Sequence, residues 1–188
     1  AMSQIKLAKD VLWTRANTLF KPNLKQANIA LIGVPVHKSS ITPNSCHLAP
    51  KAIRTALSRY STFAGSKEID LRELKITDLG DITGADSVAG KKVIAKKVSG
   101  LLDKYELLIA LGGDNSITYT VANGLFPDLS KVGLITLDAH HDLRDGNSNG
   151  SPVWRLIQAG LAGKNIVQIG ISDFANSKEY SDRAKEYG

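Results

Sequence analysis

Short apolar runs set apart by helical stretches constrain this chain more than any other feature. The runs are Ile29-Ala30-Leu31-Ile32-Gly33-Val34, Leu107-Leu108-Ile109-Ala110-Leu111, Val132 to Leu137 and Ile166 to Ile171. Runs of this length, bounded by turn residues, read as buried strands. The segment from Ile69 to Leu79 reads as one or two further strand pieces, punctuated by Gly80 and Gly84. Helical periodicity fills the gaps. It covers Ile5 to Phe20, with Leu7, Val11 and Leu12 on one face, and Ala49 to Tyr60, where Pro50 in the first turn forfeits no hydrogen bond. It continues over Ser87 to Tyr105, whose stripe is Val88, Val93, Ile94, Val98, Leu101 and Leu102, and then up to about Leu125. A helix from Ser151-Pro152 to about Ala159, capped by Ser151 and closed by Gly160, and a last one from Ser177 to Tyr187 complete the pattern. The alternation predicts a three-layer α/β fold, a mostly parallel sheet flanked by helices, in a single domain over residues 1–188.

The composition narrows the function. Hydrophobic residues make up 43% and charged residues 22%, the balance of a soluble globular protein. No apolar run is long enough to span a membrane, so no membrane partner is expected. Cys46 is the one cysteine, which leaves no intrachain disulfide and points to a reducing compartment such as the cytoplasm. Beside His47 it reads as an inert thiol, because neighbours on a loop rarely make a working Cys–His pair. The net charge is +6, but Lys91, Lys92, Lys96 and Lys97 fall at helical spacing as a solvated face, and only 6% of residues are aromatic. No nucleic-acid partner is expected from that pattern. An anionic small molecule is compatible with the charge.

The chemistry concentrates where two of the strands end. Leu134-Ile135-Thr136-Leu137 runs directly into Asp138-Ala139-His140-His141-Asp142. Open α/β sheets place their ligands at that end of a strand. Asp138, His140 and Asp142 stand at alternate positions, which on an extended backbone project to one side. Two carboxylates and an imidazole suit a divalent cation such as Mn2+. One strand earlier, Gly112-Gly113-Asp114-Asn115-Ser116 makes a second strand-to-helix turn, whose glycines allow close backbone approach and whose Asp114 and Asn115 either cap the helix or reach a site.

These segments resemble the ureohydrolases, the family of arginase, agmatinase and formimidoylglutamase. Gly112 to Ser116 is similar to that family's Gly-Gly-Asp-His-Ser segment, Asp138 to Asp142 to its Asp-Ala-His-x-Asp segment, and Asn149-Gly150-Ser151-Pro152-Val153 to its His-Gly-(small)-Pro segment. The loop and helix from Ser39 to Arg54, with Ala49-Pro50 ahead of Ile53-Arg54, also look like the family's, and the likeness runs from about Asn28 to Gly188. Asn115 and Asn149 stand where the family has histidines, and the family's later Asp-x-Asp segment is not in the chain, so an N-terminal portion of a longer arginase-like domain, incomplete at the C-terminus, is expected.

The resemblance implies a binuclear Mn2+ centre held by Asn115, Asp138, His140 and Asp142, with Asp142 and Asn149 in catalytic positions. It implies hydrolysis of a linear amidine C–N bond. Gly-Gly-Asp-Asn-Ser, Asp142-Leu143-Arg144-Asp145 and Ser148 to Val153 look like the formimidoylglutamase branch, which implies formimidoylglutamate as substrate, glutamate and formamide as products, and a place in histidine metabolism. Arg144 and Arg155 are the candidates for its carboxylates, and Arg144, Asn147, Asn149 and Ser151 for substrate binding; arginines at the surface and ordinary loop and cap residues remain the alternative. A guanidino substrate of the agmatinase or arginase type, and an impaired relative that only binds a ligand, stay open as alternatives. A homo-oligomer is what the resemblance implies for assembly.

Overall fold

The computed structural model describes residues 8–188. Its strands are β1 (Phe20–Pro22), β2 (Ile29–Val34), β3 (Phe63–Ala64), β4 (Ile69–Asp70), β5 (Ile76–Asp81), β6 (Leu107–Gly112), β7 (Leu134–Leu137) and β8 (Ile166–Ile169). Its α-helices are α1 (Ala49–Ala56), α2 (Gly90–Val98), α3 (Ile117–Leu125), α4 (Pro152–Gln158) and α5 (Lys178–Tyr187). The main sheet has the order β1-β5-β2-β6 and is parallel throughout. A parallel sheet flanked by helices is therefore what the alternating pattern builds.

Strand β2 shows why an unbroken apolar run was needed. Its side chains alternate between two cores. Ile32 and Val34, with Leu108 and Ala110 of β6, pack under Ile94 and Val98 of α2 and Ile117 and Val121 of α3. Leu31 and Ile29, with Ile109 and Leu111, pack on the opposite face against Leu19 and Ile76. Gly33 follows Ile29 and Leu31 on their face, and a Cβ there would overlap the carboxylate of Asp81, its partner on β5.

Strands β7 and β8 form their own two-stranded parallel ladder. They differ from the expected buried strands. Leu134 and Ile166 join a core with Leu129, Leu156 and Leu161, but Ile135, Leu137, Val167 and Ile169 on the other face are exposed. An apolar run does not tell whether one face or both will be covered.

Other boundaries also moved. The expected helix from Ile5 to Phe20 lies partly outside the described residues. From Ala8 onward the chain holds only a 3-10 turn, Ala16–Leu19, that leads into β1. Here Leu19 and Phe20 gain more by packing on the sheet edge than Val11 and Leu12, both exposed, would on a helix. The helix expected from Ser87 to Tyr105 is α2 followed by a 3-10 turn, because Gly100 takes a left-handed conformation (φ 72°) and stops it. Val88, assigned to its apolar stripe, is fully exposed. Gly80 lies inside β5 at φ 73°, beside a register irregularity with β2, rather than ending the strand. Ser151 precedes α4 but makes no capping bond; its hydroxyl donates to the Asp145 carbonyl instead. Ser177 does cap α5, accepting from the Tyr180 amide.

Candidate metal and substrate site

The site is assembled where β2, β6 and β7 end. The loop after β6 runs against the loop after β2: Gly113 N–H donates to the Val34 carbonyl and Asp114 N–H to the Val36 carbonyl, at 3.1 and 2.9 Å. A side chain at Gly113 would overlap the Val36 backbone, so only glycine permits this approach. Asp114 is buried, and its carboxylate accepts from the Ser40 hydroxyl at 2.8 Å, the Ser39 hydroxyl at 3.2 Å and the Ser116 amide at 2.9 Å. These bonds satisfy a charge that would otherwise be costly to bury. They also fix loop 39–41 against the start of α3.

Beyond Leu137 the chain leaves the extended conformation that the alternate spacing presumed. Asp138 Oδ1 accepts the His140 amide at 2.8 Å, a local bond that turns the backbone. Asp142 is left-handed, at φ 55°. Asn176 clamps the turn, accepting from the His141 amide and donating to the Ala139 carbonyl, both at 2.9 Å. Gln168 of β8 holds His141 through its ring and its carbonyl, at 2.7 and 3.0 Å.

Asn115, Asp138, His140, Asp142, Arg144 and Asn149 all line one cavity of about 390 Å³, with Ile41, Asn176 and Tyr180 completing its walls. Asn147 and Ser151 do not line it. Asn147 borders a separate depression beside Lys38 and Lys91, and Ser151 is fully buried. Arg155 is also elsewhere, stacked over the Tyr119 ring at 3.5 Å. Ile41, Asn176 and Tyr180 carry no local sequence signal; they reach the cavity from loops and a helix far away in the chain.

The electrostatics mark a site short of positive charge. Burial pushes the Asp142 carboxyl up to about 6, and the neighbouring charge of Asp138 adds to the effect; His140, the bond from Asn115 and Arg144 oppose it. A divalent cation would relieve the repulsion between those carboxylates, so Asp138, Asp142 and His140 fit one by donor type. Among the described residues, no three His, Cys, Asp or Glu side chains close into a finished metal-binding group. The Asn115 amide presents its nitrogen, not its oxygen, to this side: Nδ2 donates to Asp142 Oδ2 at 2.5 Å. Asn149 acts as a clasp, its side-chain Oδ1 accepting from the Ile41 backbone N–H and its backbone N–H donating to the Ser39 carbonyl, both at 3.0 Å.

Arg144 differs from its neighbours. Among the described residues its guanidinium has no carboxylate partner, and it lies 5.8 Å from the centre of the Tyr180 ring at the cavity wall. Arg183, by contrast, is paired with Asp145 and donates to the Leu143 carbonyl.

Comparison with known proteins matches residues 27–188 to the arginase family. Formimidoylglutamase of Halalkalibacterium halodurans is 38% identical over 186 residues, which cover 93% of this chain and 58% of that protein. Formimidoylglutamase of Bacillus subtilis is 35% identical over 167 residues, 84% of this chain and 52% of that protein. The chain thus spans between half and three fifths of the length of these relatives. The crystal structure of the Bacillus subtilis formimidoylglutamase superposes with a TM-score of 0.84 at 31% identity, covering 100% of this chain and 62% of that one. A Trypanosoma cruzi formiminoglutamase with Mn2+ shares the fold at a TM-score of 0.82 and 24% identity, over 93% of this chain and 63% of that one.

Proposed function

The chain belongs to the arginase family, and from that premise we propose that the protein hydrolyses the C–N bond of a linear amidine, formimidoylglutamate, to glutamate and formamide with Mn2+ as cofactor. The observation that carries the substrate assignment is Arg144, a cation with no carboxylate paired to it among the described residues, in the same cavity as Asp138, His140 and Asp142. Formimidoylglutamate brings two carboxylates, and a planar guanidinium binds a carboxylate through paired hydrogen bonds. Agmatine is cationic and has no carboxylate, so Arg144 would repel it. The formimidoylglutamase names of the relatives at 38% and 35% identity support the same substrate.

In this reading Asp138, His140 and Asp142 hold manganese. When bound, the cation supplies Lewis acidity near neutral pH to the bond being hydrolysed. Arg144 orients the substrate by a carboxylate, and Tyr180 flanks that guanidinium. Asn149 carries no titratable proton; its bonds to Ile41 and Ser39 keep the cavity wall in place around the amidine. Asp114 does the same from below through Ser39 and Ser40. No helix among the described residues is long and apolar enough to cross a membrane. With Cys46 as the lone thiol, a cytoplasmic site of action is the proposal that fits.

The test is product analysis on the full-length protein with Mn2+, offered formimidoylglutamate, arginine and agmatine in turn. Formamide from the first alone is expected. The Arg144→Ala variant should lose about 10- to 100-fold in kcat/KM, mostly through KM, the cost of one charge-assisted contact. Urea from arginine or agmatine without formamide would overturn the substrate assignment.

A further inference from the structure

Arg183 of α5 grips the residues on either side of Arg144. Its Nη1 donates to the Leu143 carbonyl at 2.7 Å and to Asp145 Oδ1 at 2.9 Å, and its Nη2 reaches Asp145 Oδ2 at 3.5 Å. Its Cζ also lies 4.6 Å from the centre of the Trp154 ring and 5.4 Å from that of Tyr180, and aromatic faces attract cations. Arg144 meets the same tyrosine ring, at 5.8 Å. Its backbone N–H donates to the Gly150 carbonyl at 3.0 Å, and its stem crosses Gly150 so closely that a Cβ there would come within 2.8 Å of its Cδ. Two guanidiniums therefore share one ring, and Asp145 stands beside them as the next residue after Arg144. The Asp145 side chain is 69% exposed, so packing does not hold it; the Arg183 fork does.

We propose that Arg183 is a positioning residue that keeps Asp145 off Arg144 and so leaves the Arg144 guanidinium open to a carboxylate of the substrate. This inference rests on the substrate reading of Arg144 given above. A carboxylate forks onto one guanidinium at a time, and the one already anchored presents the better partner. Arg183 is anchored by the Leu143 carbonyl and the Trp154 face, whereas Arg144 has its ring contact alone. Without Arg183, Asp145 would turn to Arg144 and compete with the substrate for it. Selectivity for an acidic substrate is thus set partly by a residue that does not touch it.

The test uses the full-length protein with Mn2+ and formimidoylglutamate. Arg183→Gln keeps a donor for the Leu143 carbonyl but carries no charge. Its KM should rise about two- to fivefold with kcat nearly unchanged, the weight of one partly exposed ion pair set against the substrate. Adding Asp145→Asn should return KM to the parent value, and Arg183→Lys, which keeps a cation on Asp145, should stay close to the parent. Where Arg144→Ala raises KM, an unchanged KM in Arg183→Gln, or a rise that Asp145→Asn does not reverse, would overturn the proposal. A second readout needs neither metal nor substrate: the rate at which phenylglyoxal modifies Arg144, followed by peptide mass spectrometry. An unpaired guanidinium reacts faster than one held by a carboxylate. Arg144 should react readily in the parent, several-fold more slowly in Arg183→Gln, and at the parent rate in the double variant. No slowing in Arg183→Gln would refute the proposal whatever the substrate. Slowing in Arg183→Gln together with an unchanged KM in Arg144→Ala would instead count against the substrate reading and leave standing the control of Asp145 by Arg183.

Discussion

Replacing Arg54 by methionine should cost about 2–3 kcal/mol of stability, and the cost should vanish in acid. The guanidinium forks onto Asp78, with Nε to Oδ2 at 2.7 Å and Nη2 to Oδ1 at 2.8 Å, and its Nη1 reaches Asp81 at 2.6 Å. The Arg54 and Asp78 side chains are 23% and 17% exposed, so this part of the contact is poorly screened. The Asp81 side chain is 41% exposed and its arm contributes little. Methionine keeps the hydrocarbon packing and removes the charge, stranding a mostly buried carboxylate that retains only the Gly80 amide, at 2.9 Å. The loss of two coupled charge-assisted bonds, less what water restores, gives the figure above, or about 5–10 °C in Tm.

The sign of the pH dependence follows from Asp78. Burial disfavours its ionised form, but the bonds from Arg54 and the Gly80 amide outweigh burial and hold the carboxyl below its ordinary value. A carboxyl depressed in the folded state contributes stability that is complete above the unfolded pKa of about 4 and is lost as pH falls through the folded value. The gap between parent and Arg54→Met, read from urea unfolding, should therefore be full near about pH 7 and close towards about pH 3. A gap of the same size at both would refute this account. So would a cycle with Asp78→Asn that shows coupling below about 0.5 kcal/mol.

Two further expectations bear on the core and the site. Leu156→Ala, which empties a fully buried position between α4 and β7, should cost about 2–5 kcal/mol by urea unfolding. Gly113→Ala should destabilise by about 1–3 kcal/mol and weaken Mn2+ binding in calorimetry, because the Val36 backbone cannot yield to the new methyl group and Asn115 is displaced with the loop.

Which parts of this molecule could be read from sequence follows from how local their causes are. Strand β2 was legible because both of its faces are covered and every residue had to be apolar or small, and β6 carries a similar run with its side chains partly packed into both cores. Strands β7 and β8 carry the same kind of run with one face open, and nothing in Ile135 or Val167 distinguishes an exposed isoleucine or valine from a buried one. Leu7, Val11 and Leu12 have helical spacing, but Val11 and Leu12 find no surface to pack on, and propensity without burial does not sustain a helix. In the cavity, Asp138, His140 and Asp142 were legible from their spacing alone, although a turn and not a strand brings them to it. Ile41, Asn176 and Tyr180 were not, because distant segments deliver them. Ser151 and Asn147 illustrate the converse: neighbours in sequence of cavity residues, they point their chemistry elsewhere.

The left-handed backbone at Asp142 also narrows what evolution can try there. Single-base changes from an aspartate codon reach asparagine, glycine, glutamate, alanine, valine, histidine and tyrosine. Glycine and asparagine accept a φ of 55° readily, while alanine pays about 1–2 kcal/mol and branched valine more. Yet glycine and asparagine surrender the charge, and glutamate keeps it without the short side chain that suits this conformation. Tolerance of the fold and retention of the charge overlap at aspartate alone. A lineage that abandons the charge therefore has asparagine and glycine as its cheap exits, and either would leave an intact fold around a cavity with one carboxylate fewer.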